Sequence, residues 1–206
     1  MLRQFLAGRL DAADALGWIV AIAVALTVHE YAHAKRADMA GDPTPRSQGR
    51  VSLNPLDHYD PIGTTMILLF GIGWGKPVPV NPMYFKHPRR DGVMVALWGA
   101  LANIITAVLF AIPLRFGFAG PYAGPLAIIV MINLILAVFN LLPVGPLDGA
   151  SVLAGLLSVD KARRFQEFSA RWGMLLLILI IMTPLGGLLI WTPVYLMMSL
   201  LTGHPF

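Results

Sequence analysis

The chain has 206 residues, 57% of them hydrophobic and 13% charged, with a mean hydropathy of +0.70, a balance too apolar for an ordinary soluble domain of this length. Its formal charge of +4 lies in short basic connectors rather than in one long tail, which argues against nucleic-acid binding and for orientation in a bilayer. Cysteine is absent, so disulfides, thiolate metal ligands and a cysteine nucleophile are excluded, and any metal must be held by histidine and carboxylate.

Met1 to Leu16 carries Arg3, Arg9, Asp11 and Asp14 without the small-residue cleavage site of a signal peptide, and reads as an ordinary leader into the first span. Sustained apolarity places a first helix at about 17–37. It carries His29-Glu30-Tyr31-Ala32-His33, an H-E-x-x-H pattern. Residues four apart on a helix stand one above the other, so both imidazoles face the same way and can share one zinc ion, with the Glu30 carboxylate beside a water at the metal. An ionisable group at the bilayer centre costs at least about 2.5–3.5 kcal/mol on insertion scales, so several together mark a functional site rather than chance polarity.

Residues 38–91 are rich in Pro, Gly and Asn and hold one short apolar run, Ile62 to Trp74. A run that short is expected to dip into the bilayer and return, which keeps the end of the first helix on the same side as the end of the third. Lys76-Pro77-Val78-Pro79-Val80-Asn81-Pro82 then reads as extended chain, because each proline forbids helix and confines the residue before it. His58 falls in a polar turn and is expected at the surface or in a substrate cleft; His87 and His204 read as solvated.

A second helix is expected at about 92–113 and a third at about 122–142. The third ends in Asn140-Leu141-Leu142-Pro143-Val144-Gly145-Pro146-Leu147-Asp148-Gly149, where two prolines and a glycine break the helix and present Asp148 from a loosened turn. Two histidines, one aspartate and one water complete a tetrahedral catalytic zinc site, and the Asn140 amide stands where it can hold a substrate strand or a developing oxyanion. The bland alternatives are a helix cap for Asp148 and interhelical glue for Asn140. A last apolar region at about 172–201 is interrupted by Thr183-Pro184, Gly186-Gly187 and Thr192-Pro193, as one kinked helix or two short segments, for four to six crossings in all. The connector Leu114 to Pro121 holds only Arg115, whereas Lys76, Lys86, Arg89 and Arg90 on one side and Lys161, Arg163, Arg164 and Arg171 on the other put both flanking connectors in the cytoplasm.

With these residues in place, the chain resembles a compact member of the site-2 protease family of intramembrane zinc metalloproteases. The resemblance rests on His29 to Ala34, Gly41-Asp42-Pro43-Thr44, Gly49-Arg50, Leu53-Asn54-Pro55-Leu56, His58 to Thr64, Gly75 to Pro82 and Asn140 to Gly149, and covers about 17–150. It implies a three-helix catalytic core, zinc on His29, His33 and Asp148, Glu30 as catalytic base and assistance from Asn140. The family commonly shows Gly-Pro ahead of the asparagine of its second core helix. Here the stretch is Gly99-Ala100-Leu101-Ala102-Asn103, which weakens a substrate role for Asn103.

The expectation is therefore an all-α polytopic membrane protein, a single integral domain over 1–206. Its three-helix core is followed by a C-terminal hydrophobic helix or pair, and a re-entrant, partly extended segment lies between the first two core helices. It would bind one Zn2+ per chain and cut a transmembrane or membrane-adjacent segment of another membrane protein, in the cell membrane, near the cytoplasmic face. Val78 and Val80 would offer an edge to the unwound substrate strand. The competing functions are a membrane metal or proton transporter and a non-catalytic scaffold built on the same polar site.

Overall fold

The computed structural model describes residues 12–70 and 73–203; the leader residues 1–11 and His204 lie outside them. Its principal helices are α1 (Ala12–Met39), α2 (Pro61–Phe70), α3 (Pro88–Arg115), α4 (Ala123–Asn140), α5 (Asp148–Leu156), α6 (Val159–Met182) and α7 (Pro184–Thr202), with no strand among the described residues. Five of these, α1 from Leu16, α3, α4 (from Gly120), α6 and α7, are long and apolar enough to cross a membrane, so the chain is an all-helical polytopic membrane protein.

Helices α1, α3 and α4 each pack against the other two and form the core. In lipid there is little hydrophobic gain from burying one apolar helix on another, so close approach of backbones has to supply the attraction. The buried residues match that requirement. Ala21, Ala25, Ala34 and Ala37 of α1 are fully buried, and α3 presents Ala96, Gly99, Ala100, Asn103, Ala107 and Ala111 inward at helical spacing. Helix α7 closes one side through Val194 and Met198, packed on Ala107, Ala111, Val130 and Leu134. A part-buried ion pair joins the neighbouring ends of α1 and α3, Arg36 Nη2 to Asp91 Oδ1 at 3.1 Å, while Asp91 Oδ2 accepts the His87 N–H and caps α3.

Helix α2 has 10 residues, about 15 Å at 1.5 Å per residue, half of what a crossing needs. The chain then comes back: the Lys76 N–H donates to the His58 carbonyl at 2.9 Å, so the residues before and after α2 are neighbours. A side chain at Gly63 would strike the Trp74 carbonyl at 2.3 Å, which is how closely the returning chain is seated on the helix. The dip is re-entrant, and residues 73–81 leave it without regular secondary structure.

The last region differs from the expected 172–201. Helix α6 begins at Val159, so Lys161, Arg163, Arg164 and Arg171 stand on a helix rather than in a connector, with Arg163 paired to Glu167 one turn on at 2.9 Å. Hydropathy locates apolar stretches, whereas a helix can run on through polar residues where no Gly or Pro interrupts it, and none occurs between Val159 and Trp172. The break at Thr183-Pro184 separates α6 from α7, because proline cannot continue the α6 hydrogen-bond ladder. Gly187–Trp191 adds a π turn inside α7. Two spans, not one kinked helix, fill this region.

Candidate functional site

His29 and His33 lie six to ten residues before the end of α1, about 9–15 Å along its axis, on the face turned to α3 and α4. Asp148 opens α5 directly after the proline-broken turn that ends α4. The turn is pinned at two places: the Gly145 N–H donates to Ser169 Oγ of α6 at 2.9 Å, and Arg89 of α3 donates to the carbonyls of Gly155 and Leu157 at the far end of α5. Only hydrogen fits at Gly149, where a Cβ would meet the Leu141 and Leu142 carbonyls at 2.3 and 2.4 Å, so the first turn of α5 sits hard against the end of α4.

These constraints bring three atoms together. His29 Nε2 and His33 Nε2 are 3.0 Å apart, and Asp148 Oδ2 lies 3.2 Å from the first and 3.1 Å from the second. A tetrahedral zinc with bonds of about 2.0–2.1 Å has ligand–ligand edges of about 3.3 Å, so the triangle has nearly the size of one tetrahedral face. The proton positions agree with that use. His33 Nδ1 sits 2.8 Å from the Val95 carbonyl, an acceptor only, so Nδ1 carries a proton, and in the neutral ring Nε2 is then a bare lone pair. His29 Nδ1 meets Asn103 Oδ1 at 2.7 Å, with the same consequence. With both rings neutral, two imidazole lone pairs and a buried carboxylate oxygen with no hydrogen-bond donor of its own face one point, an arrangement that repels itself until a metal cation or a proton occupies it. His29, His33 and Asp148 form a group able to hold a metal ion.

Gly99 makes room for the pair. A Cβ there would lie 2.4 Å from His33 Nε2 and 2.8 Å from His29 Cε1, and neither ring can swing away without breaking its Nδ1 hydrogen bond.

The cluster opens onto a cavity of about 1480 Å³, bounded by α1, the segment after α2, the end of α4 and the inner face of α6. Glu30, Asn140, Val78 and Val80 all line it together with the three clustered residues, and the lining is mostly apolar. Glu30 is half-buried, and the returning strand passes it at Gly75, whose missing Cβ would stand 3.8 Å from Glu30 Oε1. Asn140 donates from Nδ2 to the Leu136 carbonyl at 3.0 Å, its one hydrogen bond among the described residues.

The segment bearing Val78 and Val80 is held at both ends by buried charges. Arg50 is 3% exposed and donates to the carbonyls of Asp57, at 2.6 Å, and Lys76. Asp42 is fully buried and accepts the Asn81 N–H at 2.6 Å and the Thr44 N–H at 2.9 Å. The Gly41-Asp42-Pro43-Thr44 and Gly49-Arg50 stretches thus brace this extended segment.

Two expectations change. Asn103 is fully buried behind His29: its Nδ2 donates to the Ala25 carbonyl and to Asn133 Oδ1, both at 2.9 Å, and its Oδ1 serves His29. Every polar atom of that amide is engaged, which leaves nothing for a substrate strand. His58 is 2% exposed, with Nε2 on the Ser52 carbonyl at 2.8 Å, and is an interior loop residue. Asn133 was missed altogether. The signal was an amide in an otherwise apolar run, seven residues and so two turns before Asn140.

The sequence profile described as peptidase family M50 matches residues 117–180, which include Asn140 and Asp148. The chain is 34% identical over 183 residues to YwhC of Bacillus subtilis (strain 168), named as a candidate zinc metalloprotease, over 84% of this chain and 83% of that protein. It is also similar to two mycobacterial proteins, both called Rip2 and named in the same way. The one from Mycolicibacterium smegmatis (strain ATCC 700084 / mc(2)155) is 28% identical over 82% of this chain and 66% of its own length. The one from Mycobacterium tuberculosis (strain ATCC 25618 / H37Rv) is 31% identical over 83% of this chain and 67% of its own length. No solved structure matches the chain.

Proposed function

The chain belongs to peptidase family M50, the site-2 metalloproteases, and we propose that it hydrolyses peptide bonds in transmembrane or membrane-adjacent segments of other membrane proteins. One zinc ion per chain is held by His29, His33 and Asp148. The observation that carries this is the convergence of two imidazole Nε2 atoms and one donor-less carboxylate oxygen within 3.2 Å, at the wall of an apolar cavity that also receives Glu30.

Zinc held there supplies Lewis acidity, which polarises a carbonyl and brings the acidity of water close to neutral pH. Glu30 takes the proton of the attacking water as the C–O bond forms, and returns it to the amine nitrogen as the C–N bond breaks. The free side of the Asn140 amide faces the cavity and offers a donor to the substrate strand or to the oxygen on which charge develops.

A helical substrate hides its carbonyls in its own ladder, so cleavage requires local unwinding, and the unwound backbone then needs partners in a setting without water. Pro77-Val78-Pro79-Val80 supplies them on one edge only. In an extended chain the N–H and C=O groups of alternate residues point the same way, so Val78 and Val80 share an edge; Pro77 and Pro79, without N–H groups, impoverish the other. Neither valine has a backbone hydrogen-bond partner among the described residues. Replacing Val78 or Val80 with proline removes one donor from that edge, and each change is expected to lower cleavage of a single-span peptide by about tenfold, the worth of one hydrogen bond. Unchanged kcat/KM in both variants would count against strand pairing.

The active site lies toward the cytoplasmic side of the cell membrane. Supporting this, Lys76 and Lys86 precede α3 and Arg89 and Arg90 stand in its first turn, and Lys161, Arg163 and Arg164 begin α6, whereas the turn between α3 and α4 has only Arg115 beside it. Purified protein in detergent or vesicles is expected to cut at least one member of a panel of single-span peptides, to lose that activity to a zinc chelator and to regain it on adding zinc. Zinc flux across vesicles without cleavage of any peptide would identify a transit site instead.

A further inference from the structure

Asn133 of α4 is fully buried, carries no charge and touches neither the cavity nor the metal ligands, yet it stands at the head of a chain of hydrogen bonds that ends on one of them. Its Nδ2 lies 2.9 Å from the Ile129 carbonyl. A carbonyl only accepts, so the amide is oriented with nitrogen toward Ile129 and oxygen toward α3. Asn103 then finds two acceptors at 2.9 Å on one side, Asn133 Oδ1 and the Ala25 carbonyl, and turns both of its N–H groups to them. Its oxygen is left facing His29 Nδ1 at 2.7 Å. An amide oxygen cannot donate, so His29 Nδ1 carries a proton, and in the neutral ring Nε2 is then bare on the side of Asp148 and His33.

We infer that Asn133 is a positioning residue for the metal centre, acting through the orientation of Asn103 to hold His29 in its metal-binding tautomer and rotamer. This rests on the zinc-binding reading above. A neutral imidazole by itself exchanges its proton between the two nitrogens, and with the proton on Nε2 the ring cannot ligate. His33 needs no such relay, because the Val95 carbonyl orients it directly. The site therefore has one histidine set by backbone and one set by two side-chain amides from different helices, and the second should be the sensitive one.

The test compares Asn133→Leu and Asn133→Asp with the wild type, in detergent, by chelator competition for zinc and by nitrogen NMR of 15N-histidine-labelled, zinc-free protein. In Asn133→Leu, Asn103 keeps one of its two orienting acceptors. Zinc affinity is expected to fall about 10- to 100-fold, the usual cost of losing an outer-shell partner. The His29 ring signals should move toward a mixture of tautomers while those of His33 stay. In Asn133→Asp, a neutral carboxyl retains an O–H for the Ile129 carbonyl and an oxygen for Asn103, so affinity within about threefold of wild type is expected. Wild-type zinc affinity and unchanged His29 signals in Asn133→Leu would overturn the inference, and so would equal weakening in both variants with His29 signals unmoved, since that marks a packing role alone. Failure of the wild-type protein itself to bind zinc would overturn the metal reading and the relay together, a result distinct from either.

Discussion

Glu30→Gln is expected to retain zinc and lose cleavage, with kcat on a single-span peptide falling by at least about 10²–10⁴, the range contributed by a positioned general base. The substitution exchanges one oxygen for nitrogen at nearly constant shape, in a half-buried side chain that lines the cavity and is not one of the three converging ligands. The fold has no reason to respond, because Glu30 makes no hydrogen bond or ion pair to another described side chain, and the metal cluster keeps its three ligand atoms while losing only the charge of Glu30 near His33. What disappears is the ability to accept a proton in the apolar cavity between α1 and the strand at Gly75. Metal analysis and initial rates on the same preparation check this. Full cleavage by a zinc-loaded variant would remove Glu30 from the base role, and joint loss of zinc and activity would make it a ligand instead.

Asp148→Asn is expected to leave the protein folded and strip it of zinc, with affinity falling by more than the roughly 10- to 100-fold that follows loss of an outer-shell partner. In the native cluster Asp148 Oδ2 has no donor, and its two close neighbours are the bare nitrogens of His29 and His33 at 3.2 and 3.1 Å. An amide nitrogen in the same place presents N–H groups to those lone pairs. The cluster then satisfies itself by hydrogen bonding, and the electrostatic conflict that draws in a cation is gone. The variant should therefore melt no lower than the zinc-free wild type while binding far less metal, both measurable by thermal unfolding and chelator competition. Stoichiometric zinc at wild-type affinity would place the third ligand elsewhere in the chain.

Much of this site was legible in the linear sequence because the residues concerned carry their chemistry in their spacing. His29, Glu30 and His33 occupy one helix, whose period alone decides that the imidazoles face together. Asp148 announces itself by the proline-broken end of an apolar run, where irregular backbone in a membrane needs a reason. The re-entrant dip was also readable, since 10–13 apolar residues are too few to cross. The start of α6 was not, because the polar, helix-compatible residues from Asp160 to Arg171 look like a connector to any measure of hydropathy and like a helix only to a measure of backbone preference. The interior roles of Asn103 and Asn133 were equally hidden. A lone amide in an apolar helix can serve a substrate, a neighbouring helix or a ligand ring, and its partners lie 30 to 78 residues away.

Local sequence thus determined which groups could ligate, which could take a proton and which stretches would cross the bilayer, because helical period, proline geometry and the cost of burying charge act within a few residues. Tertiary packing alone decided that α1 and the start of α5 meet, that small residues on α1 and α3 let their backbones come close enough, and that two asparagines from different helices fix a histidine proton. The physical reason is that hydrogen bonds and ligand contacts form at about 3 Å, a scale on which residues such as 29, 103, 133 and 148 have no relation until the helices carrying them are packed together.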